Sequence, residues 1–581
     1  MTTKNPKKRG ETGLRTVVEL VERRLQSAPS AAACKVRNVS GQWYSITWRE
    51  RVASVRQFAG RLIEAGIQHG DRVAIFGPPC ADWQLAEWGA IFAGGAVVGI
   101  DPNTPVGQLR ELLATVSPRA VCVLEDEFLP RIEDLLPAQC DVRLLRRGED
   151  ARSEWISWGS SDANADRSTA RDLPDVGEDH TATLIYTSGT AGTPKVVAYT
   201  HRQLMVACEA IGQAFPLADP QDPLICWLPM SHLFQRMFNL VAAEKQAVLH
   251  FVDDPRLLVE SLPQVRPKVL CCVPRFIEKL LAGIIANFNS MPAIPKAAFY
   301  RILHDQRRPK WSLGGLAEHV VLKQIQKLTG GQLKHLICGS APLSPAVAEQ
   351  MHRLGWNVLE AYGVSENTVP MSANRPHDFR FGSVGKPFDA NEIRIADDGE
   401  ILVRGPGVFR GYVEEQESSL TSDGYYATGD IGRFDDDGFL YLIGRKSQVI
   451  KTSTGRKVYP TRVEAVYQQH PLLELVVVFG HGQKYLVGLI LPNEEELQRR
   501  GIADQDDEID DAIDEALRTQ GDVLSLHEQI VRYVRLAEPL SVARGELTAS
   551  LKVRRHVVAD RYGEQIDLLF SDLATAVASS D

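Results

Sequence analysis

The chain has 581 residues, more than one hydrophobic core usually serves, so two or more domains are expected. Its 44% apolar and 24% charged composition is ordinary for a globular protein, and a net charge of -9 without a basic stripe argues against a nucleic-acid partner. The nine cysteines include no Cys-x-x-Cys pair, and no apolar run follows the basic N-terminus as in a secretory signal, so reduced core thiols in a cytoplasmic protein are expected.

Residues 1–12, with Lys4, Lys7, Lys8 and Arg9, read as a disordered, solvated tail. Thr47 to Ile67 reads as an amphipathic helix, with a capping box from Thr47 to Glu50 and Val52, Val55, Ala59 and Leu62 on one face. Strand-like runs at Asp71 to Phe76, Ala96 to Ile100 and Ala120 to Leu124 then alternate with helical runs at Ala81 to Ala93 and Gln108 to Ala114. This alternation predicts an α/β fold with a largely parallel sheet covered on both faces. Trp88 to Ile100 is too short and glycine-rich to span a bilayer. Ala151 to Pro174, rich in Ser, Asp, Ala and Arg, reads as a long surface connection.

The next segment, Leu184-Ile185-Tyr186-Thr187-Ser188-Gly189-Thr190-Ala191-Gly192-Thr193-Pro194-Lys195, is a strand-like run that breaks into a loop of small hydroxyl residues and glycines. Gly189 and Gly192 let backbone N–H groups turn toward an anion, the hydroxyls of Thr187, Ser188, Thr190 and Thr193 add donors, and Lys195 adds charge. The pattern suits a nucleotide polyphosphate. It is not a Walker A loop, because Pro194 precedes the lysine and Val196 follows it. Nor is it a dinucleotide fingerprint, because Val196 to Tyr199 reads as extended rather than helical.

Further along, Ile431 to Phe434 and Phe439 to Ile443 flank the turn Asp435-Asp436-Asp437-Gly438, a hairpin signal in which the aspartates serve the turn. After Lys446 a smaller α+β unit is expected, with a helix capped by Thr461 and Glu464, strands at Leu475 to Phe479 and Tyr485 to Leu491, and a helix through the acidic run Asp504 to Glu515.

Five blocks complete the pattern: the loop at Thr187 to Lys195; Gly339-Ser340-Ala341-Pro342; Glu360-Ala361-Tyr362-Gly363-Val364-Ser365-Glu366; Thr428-Gly429-Asp430 with Gly444-Arg445-Lys446; and Gly545-Glu546-Leu547 leading to Lys552. In this order they resemble the adenylate-forming superfamily of acyl-CoA synthetases, carrier-protein adenylation domains and luciferases. The resemblance implies a large N-terminal domain of layered sheets and helices over 13–445, a hinge at 446–448, and a small mobile α+β lid at 449–581.

It also implies roles for single residues. Thr187 to Lys195 would hold the ATP phosphates, Tyr362 would lie against adenine beside Gly339, Ser340, Ala341 and Pro342, and Gly363 and Ser365 would complete that block. Glu366 would help hold Mg²⁺, a hard ion suited to carboxylate. Asp430 would accept the ribose hydroxyls, Arg445 would assist at ribose or phosphate, and Lys552 would offset charge between the substrate carboxylate and the α-phosphate. By the same resemblance the loop around Gly455 enters beside the pantetheine arm of coenzyme A after the small domain rotates. The family's hinge aspartate is replaced here by Gln448.

Leu228 to Arg236, Val273 to Lys279 and Leu547 to Arg555 resemble the long-chain fatty acyl-CoA synthetases, which places His232 at the acyl site near the carboxylate. The resemblance thus implies activation of a medium-to-long-chain fatty acid and transfer to coenzyme A. Its alternatives are a carrier-protein acceptor or a specialised acid, and, from another class, a silent acyl- or nucleotide-binding protein. The stripe Ile277, Leu280, Leu281, Ile284, Ile285 and Phe288 reads as core packing, with a tunnel cover or a peripheral membrane contact as the other readings.

Overall fold

The computed structural model describes residues 13–38, 40–146, 155–158, 173–187, 195–215, 219–305, 312–415, 419–502, 505–542, 544–547 and 552–578. The basic tail at 1–12 lies outside them. The chain forms two compact units, one of Met1–Ile393, Val403–Tyr426 and Gly438–Leu440, the other of Arg394–Leu402, Ala427–Asp437 and Tyr441–Asp581.

In the first unit the expected strand and helix alternation builds a seven-stranded sheet. Its order is Ile156–Ser157, Val142–Leu145, Ala120–Val123, Arg72–Phe76, Ala96–Ile100, Thr181–Thr187 and Lys195–Thr200. All neighbours are parallel except the last pair, which is antiparallel. Parallel strands need cover on both faces, and the central ones are accordingly apolar throughout: Val73, Ala74, Ile75, Phe76, Val97, Val98 and Ile100 are fully buried. The capping box of Thr47 and Glu50 forms as expected and starts the helix Trp48–Glu64, which packs on Ala81–Phe92. Gly89 lies against the Phe58 ring with no room for a Cβ, which is why this helix pair approaches so closely.

A second sheet orders Pro223–Cys226, Val248–Phe251, Ala32–Arg37 and Trp43–Thr47, and a third orders Val269–Cys272, His335–Cys338, Asn357–Tyr362, Ser372–Ala373 and Lys386–Pro387. All nine cysteines are buried and free. Burial pushes the Cys80 and Cys140 thiols up to about 11, in keeping with inert core groups. The helix Pro274–Asn289 buries Ile277, Leu281, Ile284 and Phe288 of its stripe, as core packing requires, and leaves Leu280 and Ile285 half-buried. Among the described residues no helix is long and apolar enough to cross a membrane.

Two expectations need correction. The stretch taken as a surface connection contains the short edge strand Ile156–Ser157, flanked by buried Trp155 and Trp158; its polar composition hides two aromatic anchors. Phe58 and Trp158 rings meet at 4.6 Å.

In the second unit the strands Leu473–Phe479 and Leu486–Pro492 match the expected pair, a third strand, Ile530–Arg535, joins them, and the acidic helix Asp506–Gly521 buries Ile509, Ile513 and Leu517. The second correction is the Thr461 capping box, which does not form. The helix Pro460–Tyr467 starts one residue earlier, because proline suits the first helical position, and Tyr459 is its cap. Freed from capping, the Thr461 hydroxyl donates to Gln448 Oε1 at 3.5 Å, and Glu464 accepts from Val478 N at 2.8 Å and from Arg555 Nη2 at 2.6 Å.

Candidate active site

Three of the singled-out blocks begin where strands of the first unit end. Thr187 closes the strand 181–187 and pairs in register with Lys195, so residues 188–194 join two antiparallel strands rather than opening a helix. This agrees with the extended reading of Val196 to Tyr199. Ser188, Gly189, Thr190, Gly192 and Thr193 themselves lie outside the described residues, as does the side chain of Thr187.

Cys338 and Glu360 are partners on adjacent parallel strands, so Gly339 and Tyr362 leave the same edge, where ligand sites of such sheets gather. Gly339 is buried with the Ala361 carbonyl oxygen 3.4 Å and the Phe234 ring 3.6 Å from where a Cβ would stand. Ser340 holds a left-handed backbone at φ 75°, a costly conformation for a non-glycine residue and one that turns Ser340, Ala341 and Pro342 outward to an exposed rim. Tyr362 is buried and Gly363 exposed. Glu360, two residues before Tyr362, is also buried, and burial pushes its carboxyl up to about 8.

Lys195 and Glu366, 171 positions apart in number, are drawn together by a residue that sequence reasoning missed. Tyr412 donates its hydroxyl to Glu366 Oε1 at 2.7 Å, and the Lys195 ammonium stands 4.4 Å from the centre of the same ring. Lys195 also pairs with Glu415 at 2.7 Å. The main chain fixes the arrangement, since Val413 N donates to Val196 O at 2.9 Å and Phe409 N to Glu366 O at 2.9 Å. Tyr199 donates to the Ser365 carbonyl oxygen.

His232 caps the helix Leu233–Lys245 through its backbone and is half-buried, with its ring 6.4 Å from that of Tyr186 on the strand leading to the loop. The helix it opens is held by Gln235, whose Oε1 accepts from Trp227 N at 3.4 Å, and by Arg236, buried against Glu87 at 2.6 Å.

The second unit carries the remaining residues. Buried Asp430 pairs with Arg445 Nε at 2.7 Å and its N–H donates to Thr428 Oγ1 at 3.1 Å. Burial and the nearby Arg445 charge hold the Lys552 ammonium below the usual lysine range, while Asp430 draws it up; the outer surface of Lys552 stays exposed. Shortly before Lys552 in the sequence, fully buried Glu546 meets Arg544 at 2.9 Å and Arg561 at 3.3 Å. Lys446 is held by Asp398 at 2.6 Å and Glu400 at 2.7 Å. Gly455, at φ 78°, tips an exposed turn closed by Thr452 N donating to Arg456 O at 2.9 Å.

Residues 21–413 match the model of the AMP-binding enzyme family, and residues 447–574 match that of the AMP-binding enzyme C-terminal domain. The chain belongs to the AMP-binding enzyme family. This adenylate-forming enzyme is 29% identical to the long-chain-fatty-acid–CoA ligase FadD15 of Mycobacterium tuberculosis, over 92% of this chain and 94% of the relative. In structure it is similar to the adenylation domain of a carboxylate reductase from Mycobacterium chelonae, with a TM-score of 0.79 at 23% identity, covering 97% of this chain and 92% of that one. It is also similar to an o-succinylbenzoate coenzyme A synthetase from Bacillus subtilis solved with ATP and magnesium ion, with a TM-score of 0.68 at 19% identity, covering 92% and 98%.

Proposed function

We propose that this enzyme activates a medium-to-long-chain fatty acid with ATP and transfers the acyl group to coenzyme A. The observation that supports the chemistry most is the pairing, within one unit, of the buried Asp430 carboxylate with Arg445 beside the Lys552 ammonium. The choice of acid and acceptor rests on the end-to-end similarity to the long-chain ligase and on the blocks around His232 and Phe276.

In this reading the loop Thr187 to Lys195 holds the β and γ phosphates, Tyr362 and the Gly339 to Pro342 rim take adenine, and Asp430 accepts the ribose hydroxyls. Glu366 fits a magnesium ion: one carboxylate oxygen is fixed by Tyr412, and the other has no hydrogen-bond partner among the described residues. The ion, when bound, would neutralise phosphate charge. The fatty-acid carboxylate attacks the α-phosphorus in line, the bond to the bridging oxygen breaks, and pyrophosphate leaves. Lys552 offsets the charge that builds as two anions meet. The coenzyme A thiol then attacks the acyl carbon, loses its proton, and AMP departs.

Each acid methylene buried in an apolar tunnel contributes about 0.8 kcal/mol, so a fatty-acid site discriminates by length. Pyrophosphate release is expected to rise from acetate through octanoate to palmitate. Equal turnover of acetate with none of palmitate would contradict the choice of substrate. The similarity to a carboxylate reductase adenylation domain favours one second reading, in which the acceptor is a carrier-protein phosphopantetheine.

A further inference from the structure

We infer that Tyr412 is a positioning residue that couples the phosphate lysine to the metal carboxylate, holding Lys195 and Glu366 in one preorganised group. The inference rests on the roles proposed above for those two residues. No sequence block singles out Tyr412; its place follows from contacts.

The Tyr412 hydroxyl has one proton. An ionised carboxylate is an acceptor only, so that proton goes to Glu366 Oε1, at 2.7 Å. The Tyr426 hydroxyl, 3.2 Å from the Tyr412 oxygen, must then be the donor in that contact, which gives a directed chain from Tyr426 through Tyr412 to Glu366. The ring is fixed by Phe409, edge to face at 4.9 Å, and Phe409 packs in turn on Tyr426 at 5.0 Å.

The other side of the same ring faces Lys195, whose ammonium lies 4.4 Å from its centre. Tyr412 also sits in a backbone bridge to Val197, two residues after the lysine. Side chain and main chain therefore locate one cation and one anion against a single rigid group, the cation at the start of the strand Lys195–Thr200. A structural aromatic would need the packing alone. The hydroxyl aimed at Glu366 and the ring face turned to Lys195 are what a positioning role requires and packing does not.

The test separates the two functions of the side chain. Tyr412→Phe keeps the ring, its packing and its contact with Lys195, and removes only the hydroxyl, with its hydrogen bonds to Glu366 and from Tyr426. Calorimetric titration with ATP, in the absence of any acid substrate, is made with magnesium and with chelator. The parent is expected to gain affinity when magnesium is present. In Tyr412→Phe that magnesium-dependent gain should shrink roughly tenfold, the scale of a lost charge-assisted hydrogen bond, while metal-free ATP binds as in the parent. In Tyr412→Leu, which also removes the ring face, metal-free binding should weaken as well. Circular dichroism and unfolding midpoints of both variants establish that they are folded. A Tyr412→Phe variant with the parent's magnesium-dependent gain would overturn the inference. So would equal losses with and without magnesium, which mark a general structural defect. Failure of the parent itself to bind ATP would instead remove the reading on which the inference rests.

Discussion

Lys552→Ala is expected to lower fatty-acid-dependent pyrophosphate release by roughly two to three orders of magnitude, the scale for removing one charge partner of a transition state. Binding of ATP alone should change little, because in the proposed reaction the group acts where the carboxylate and α-phosphate anions approach. The nearby buried carboxylate of Glu546 is paired with Arg544 and Arg561 and not with Lys552, so the alanine variant should fold. Burial and Arg445 lower the Lys552 pKa, so the ammonium is lost at a less alkaline pH than for an ordinary lysine. Adenylation should fall early on the alkaline side, and Lys552→Arg should move that limb upward, since guanidinium stays protonated. An alanine variant with parental pyrophosphate release would remove Lys552 from the mechanism.

The second large effect concerns stability. Arg236 and Glu87 form a buried ion pair at 2.6 Å, and Arg236 also donates to Thr183 Oγ1 at 2.8 Å and lies 5.4 Å from the Trp83 ring centre. This guanidinium joins the helix Leu233–Lys245 to Ala81–Phe92 and to the strand Thr181–Thr187. Burial pushes the Glu87 carboxyl up, and Arg236 is the foremost influence drawing it down. Arg236→Met leaves that carboxyl buried without its cation and should cost about 3–5 kcal/mol. Equilibrium urea unfolding would measure it. Arg236→Met combined with Glu87→Gln removes the orphaned charge and should recover a large part of the loss. A single variant within 1 kcal/mol of the parent would mean that the pair is not structurally important.

Much of the fold was legible in the sequence because period and capping act locally. Thr47 and Glu50 meet three residues apart, and the strand segments 73–76, 96–100 and 120–123 are apolar because both their faces are covered. Local rules failed where a stronger local rule competed, as Pro460 did with the Thr461 cap, or where composition masked packing, as around Trp155 and Trp158. The site divides in the same way. Blocks such as Gly339 to Pro342 and Tyr362 to Glu366 carry dense signals of their own. Tyr412 and Glu87 do not, because each takes its meaning from a partner far away in sequence, Glu366 for Tyr412 and Arg236 for Glu87; Glu546 and Arg236 lie within such blocks, but their buried pairings are not written there. A lone tyrosine after glycine announces nothing until the chain brings Lys195 to its ring.

The most direct measurement is mass spectrometry of the products formed from palmitate, coenzyme A, ATP and magnesium by the purified enzyme. Palmitoyl-CoA and AMP in equal amounts are expected. Palmitoyl-adenylate without thioester would contradict coenzyme A as the acceptor, and the absence of both products would contradict fatty-acid activation itself.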